Sequence, residues 1–141
     1  MKTVEEYIEE GVLRKITPDT QRSKSLYSEA KKKRSLLEKK VSALGVDEEN
    51  ANDYVEYCYN ILMILIRAVM LSEGYISSGK GAHEAEVCYA KKKGLSDKEL
   101  ALLDQLRYFR NGILYYGKSF DAEYAHSIIA FTHNVYEKLN E

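Results

Sequence analysis

The chain has 141 residues, 45% of them hydrophobic and 30% charged, with a formal net charge of −1. That is enough chain to bury one core and too balanced a composition for disorder. A near-neutral charge excludes a globally basic nucleic-acid binder, so any such binding has to come from a local patch.

The first residues, Met1-Lys2-Thr3-Val4-Glu5-Glu6, lack the basic region and apolar run of a signal peptide. Val4, Ile8 and Val12 recur at helical spacing and predict a short amphipathic helix over 3–15. Thr17-Pro18 then reads as a cap followed by proline at the first helical position. From there a long helix is expected to about Leu44, with Tyr27, Ala30, Leu37, Val41 and Leu44 along one stripe and Gly45 as its stop.

The third segment, roughly 49–74, is the most apolar. Its densest run, Ile61 to Leu71, is interrupted by Arg67 and falls short of the ~20 residues of a membrane helix. It reads as the central helix of a bundle. Ser77-Ser78-Gly79-Lys80-Gly81 is a loop, and a shorter helix follows from Ala82 to about Lys93, ended by Gly94.

Ser96 and Glu99 have the spacing of a capping box, which opens a fifth helix over 97–116 with Gly117 as its stop. Asp121 can cap the last helix, whose core stripe is Tyr124, Ile128, Phe131, Val135 and Leu139. The fold expected is all-α, without strands: an antiparallel up-and-down four-helix bundle with short additional helices. Residues 1–16 form the short N-terminal helix and 17–141 the bundle, in a single domain.

On a helical wheel of the fifth helix, Leu102, Leu103, Leu106, Phe109, Ile113, Leu114 and Tyr116 fall within an arc of about 160°. Arg110 lies inside that arc, with Arg107 and Asn111 at its edge. A guanidinium on a core-facing stripe is costly unless it is paired, hydrogen-bonded or open to a cleft. It either reaches the surface, pairs with a carboxylate such as Glu56, or stands at a groove or dimer interface ready for phosphate.

The run Leu106-Arg107-Tyr108-Phe109-Arg110-Asn111-Gly112-Ile113-Leu114-Tyr115-Tyr116-Gly117 resembles the signature of HEPN domains. Asn60, Arg67-Ala68 and Gly74 are similar to spaced positions of that family's preceding long helix. The resemblance implies a four-helix bundle that forms a homodimer. It also implies metal-independent ribonuclease chemistry or the binding of RNA or a nucleotide, with Arg110 on the phosphate and Asn111 as its polar partner. A second implication is a non-catalytic bundle that partners a nucleotidyltransferase.

The family's histidine would stand four to six residues after the arginine. This sequence has Tyr115 and Tyr116 there, and tyrosine, with a pKa of about 10, can donate to a phosphate but is a poor base. In an unbroken helix Tyr115 points about 140° away from Arg110 and Tyr116 about 120° away. A joint site needs a loosened last turn or a second chain.

Arg107 and Lys91-Lys92-Lys93 are candidate nucleic-acid contacts, and Lys31-Lys32-Lys33-Arg34 is a second basic run. Such runs are either solvated helix faces or sources of sequence-independent phosphate attraction. His126 and His133 are about two turns apart, too far for one metal. His83 begins the short helix beside the loop, as a structural residue or one that approaches a cleft. There is no zinc pattern, so no metal or cofactor is expected. Cys58 and Cys88 read as reduced packing thiols, and the expected setting is cytoplasmic, away from membranes.

Overall fold

The computed structural model describes residues 2–116 and 119–140, without the side chains of 111 and 113–116. Among the described residues six α-helices appear in chain order: α1 (Val4–Glu9), α2 (Thr20–Leu44), α3 (Ala51–Glu73), α4 (Ala82–Tyr89), α5 (Asp97–Tyr116) and α6 (Ala122–Leu139). A 3₁₀ turn, Ala90–Lys93, extends α4. The result is a mostly helical, loosely packed bundle around α3.

α3 is central because nearly all of its face is apolar. Tyr59, Ile61, Leu62, Met63, Leu65 and Ile66 are almost wholly buried, and each such aliphatic side chain contributes roughly 1.5–3 kcal/mol. Its most apolar window has a mean hydropathy of 1.5, enough by length and composition to cross a membrane, yet 67% of that window is buried within the fold. α2 and α6 cover α3 most extensively, and α5 and α4 pack beside it. Ser23 on α2 donates to the carbonyl of Ala68 at 2.6 Å, a buried polar link that fixes the two helices in register.

The starts of α5 and α6 follow side-chain caps. The Ser96 hydroxyl accepts from the Glu99 amide at 3.1 Å while the Glu99 carboxylate accepts from the Ser96 amide at 2.9 Å. Asp121 accepts from Tyr124 N at 2.7 Å. Both caps were expected from the sequence.

The N-terminal segment departs from expectation. Helix α1 stops at Glu9, Gly11 takes φ +77°, and Leu13–Lys15 is a strand, β1. It pairs antiparallel with β2 (Tyr75–Ser77) in the register Leu13↔Ser77, Arg14↔Ile76 and Lys15↔Tyr75. The expectation of a strand-free fold with a helix over 3–15 is therefore corrected. Pairing with a distant segment buries Leu13 completely, which three residues of local propensity could not foretell.

The start of α2 is corrected too. Pro18 precedes the helix, and Asp19 is the cap, accepting from Arg22 N at 3.0 Å. Ile16 N donates to Gly74 O at 2.8 Å and Asp19 N to Leu71 O at 2.9 Å, so this stretch continues the pairing begun by β1. Gly74, at φ +85°, has no room for a side chain there: a Cβ would lie 2.6 Å from the carbonyl oxygen of Ile16. On α2, Ala30 and Leu37 are buried as expected, whereas Leu44 is 68% exposed.

Candidate functional site

The capping box sets the start of α5, and Leu103 and Leu106 anchor it with no exposed surface. One turn on, Arg110 is partly buried, as its place on the apolar stripe requires. Its Nε is shut off from solvent and has no hydrogen-bond partner among the described residues. The guanidinium carbon lies 5.8 Å from the centroid of the Tyr59 ring, at the outer reach of a cation–π contact. Glu56, the carboxylate that might have paired with it, lines a separate groove with Lys40, Tyr57 and Asn60.

Tyr59 comes from the middle of α3 and is 2% exposed. Its hydroxyl shares a hydrogen bond with Nδ1 of His83 at 3.3 Å, the donor set by the imidazole tautomer. Burial pushes the Tyr59 phenol up, and the charges of Arg110, Arg107 and Arg67 only partly offset this. The phenol is thus neutral near neutral pH. One buried tyrosine holds an arginine against its ring and an exposed histidine at its hydroxyl.

His83 stands in the first turn of α4. That helix begins at Gly81, which takes φ +87° and offers no side chain to cap the first amides. The preceding loop, Ser78–Lys80, is exposed and carries Lys80. Together Tyr59, Gly79–Glu84, Arg107 and Arg110 line a cleft of about 460 Å³, within the ~300–1,000 Å³ range of small-ligand sites. Among the described residues its charged lining is three cations, Lys80, Arg107 and Arg110, against the single carboxylate of Glu84. Arg107 is oriented by Asp104, whose carboxylate accepts from its Nε at 3.0 Å.

Of the residues singled out from sequence, Arg107 and Arg110 meet in this cleft. The side chains of Asn111, Tyr115 and Tyr116 lie outside the described residues, as does Gly117. Lys91, Lys92 and Lys93 do not line the cleft. Lys91 and Lys92 flank a separate hollow with Lys2 and Cys88. Lys92 also lies 5.1 Å above the Tyr89 ring, and Lys93 pairs with Glu73 at 2.8 Å.

In the other basic run, Arg34 donates to His133 Nδ1 and to Glu137, fastening α2 to α6. His126 is exposed. Cys58 and Cys88 are buried free thiols. Among the described residues no group of three or more His, Cys, Asp or Glu side chains could hold a metal ion.

Tyr59 and His83 are the partners that sequence reasoning did not connect to Arg110. The available signal was the Gly79-Lys80-Gly81 loop running directly into a helix that opens with a histidine. No protein-family model, curated protein or solved structure matches the chain.

Proposed function

We propose that the chain is a HEPN-like bundle in which α2, α3, α5 and α6 form an antiparallel up-and-down unit. On this reading it binds the phosphate of RNA or of a nucleotide through Arg110, with Asn111 beside it and a homodimer as the working form. The observation that carries the reading is the buried, partnerless Nε of Arg110 at the base of a cleft that also holds Arg107 and Lys80. Leaving a buried donor unsatisfied costs about 1–3 kcal/mol, and Arg110 also lines the cleft, where an anionic ligand would balance its charge. Guanidinium groups suit phosphate because their planar fork matches its oxygens.

Fluorescence anisotropy with a labelled single-stranded RNA tests this. Arg110→Ala should abolish binding at moderate salt while leaving the circular dichroism spectrum unchanged. RNA binding by that variant equal to the parent's would reject the proposal.

A second reading has one observation in its favour. Tyr108 is 69% exposed on α5, next to Arg107, and an exposed aromatic beside an arginine is the composition of a protein interface. The partner would be a second copy or a nucleotidyltransferase. Tyr108→Ala would then alter sedimentation mass or partner capture, and RNA titrations would stay flat for every variant.

A further inference from the structure

Resting on the phosphate reading above, we propose that the cleft recognises a terminal phosphate, the phosphomonoester end of a nucleotide or an RNA. His83 is the ligand that sets this preference over an internal diester.

The first argument is where positive charge is concentrated. A protein that holds a continuous strand needs a basic groove that tracks the backbone. Here several of the other basic side chains are engaged elsewhere: Lys93 with Glu73, Lys92 over Tyr75 and Tyr89, Arg34 with Glu137 and His133, Lys33 and Lys40 over Tyr57. Lys80, Arg107 and Arg110 gather in one cleft, where Glu84 is the single lining carboxylate among the described residues and Asp104 pairs with Arg107. Three cations at one cleft form a point of charge.

The second argument is the count of oxygens and charge. An internal diester offers two non-bridging oxygens and one negative charge. A terminal phosphate offers three acceptor oxygens and about −1.5 to −2 charges at pH 7. The donors of the cleft come from three separate elements: Arg107 and Arg110 from α5, Lys80 from the loop and His83 from the first turn of α4. Three sources of donors around one centre match three oxygens better than two.

His83 is suited to the third oxygen. Its side chain is exposed in the cleft wall while its Nδ1 is held by Tyr59. When the phenol donates to Nδ1, the neutral imidazole carries its proton on Nε2 and is a donor there. The buried tyrosine thus holds the ring in place, and this is the tautomer that an anion needs.

The test uses the full chain and one short single-stranded RNA in three forms: hydroxyl at both ends, 5′-phosphorylated and 3′-phosphorylated, each labelled at the opposite end. One phosphorylated form should bind about tenfold tighter than the hydroxyl form, the effect of one charge-assisted contact. His83→Ala should shrink that gap severalfold, well beyond any loss of affinity for the hydroxyl form, with a melt lowered by no more than the loss of the Tyr59 hydrogen bond predicts. Inorganic phosphate or a nucleoside 5′-monophosphate should compete, and which competes better tells a bare phosphate site from a nucleotide site.

Equal, Arg110-dependent affinity for all three RNAs overturns the end-recognition proposal and leaves the phosphate reading standing. A gap that survives His83→Ala overturns the role of His83, and failure of both competitors overturns the terminal-phosphate site. If no probe shows Arg110-dependent binding, both proposals fall together.

Discussion

The hydroxyl of Tyr59 and Nδ1 of His83 lie 3.3 Å apart, and this contact ties the buried centre of α3 to the exposed first turn of α4. Tyr59→Phe removes that hydroxyl and keeps the ring under Arg110. The expected cost is ~0.5–1.5 kcal/mol, the net worth of one hydrogen bond, read as a lower midpoint in urea. The His83 ring signals in an NMR spectrum should shift and broaden as its anchor is lost. Unchanged stability together with unchanged ring signals would show that the bond is not formed in solution.

A second polar cluster lies a turn further along α4. Arg67 donates from Nε and Nη2 to both carboxylate oxygens of Glu86, at 2.8 and 3.2 Å, and Ser77 Oγ donates to the same carboxylate at 2.9 Å. The Glu86 side chain is 3% exposed and that of Arg67 41%. Arg67→Ala should therefore cost ~3 kcal/mol, because it strands a carboxylate inside the fold. Adding Glu86→Leu should recover much of that loss in the same urea titration. A double variant no more stable than the single would refute this account.

Acid should weaken the fold through two exposed-edge carboxyls. Burial alone would raise Glu73, but hydrogen bonds from Lys93 and Tyr89 outweigh it and hold the group below the usual range. Glu99 is held down by Lys138 and by the Ser96 amide. An unfolded glutamate titrates at about 4.3, so the stability these groups contribute is complete above that pH and is lost as pH falls through their lower folded values. Glu73→Gln/Glu99→Gln should be less stable than the parent at pH 7 and should lose less between pH 7 and pH 3.5. Parallel losses in parent and variant would exclude these carboxyls as the acid-sensitive pair.

The helices were legible wherever their ends are fixed by near neighbours. Ser96 with Glu99, Asp121, Gly45 and Gly94 all act within a turn of themselves, so spacing alone announces them. The two strands were not, because each spans three residues, too short for an alternation to register, and each owes its state to the other. Pro18 misled for a related reason: its usual place at a helix start is overruled by the pairing of Ile16 and Asp19 with the end of α3.

At the site, Arg110 could be picked out because a charge on an apolar stripe is anomalous in one dimension. Tyr59 could not, and His83 stood out only as a residue beside a loop, structural or approaching a cleft. A buried tyrosine on α3 and an exposed histidine on α4 are each unremarkable until the fold sets one against the other.

The β1–β2 pairing also dictates an order of assembly. Leu13 cannot meet Ser77 until all of α2 and α3 has been made and folded back, because those helices form the intervening loop. Closing so long a loop is slow unless its interior is already compact. The α2–α3 pair therefore forms first, and the N-terminal strand docks afterwards. Ser78, whose amide donates to Val12 O at 3.0 Å, leads straight into the Gly79–Gly81 wall of the cleft. The wall is thus a late product of folding, and a chain lacking its first sixteen residues would retain the α2–α3 pair while losing the clamp that holds one side of the cleft in place.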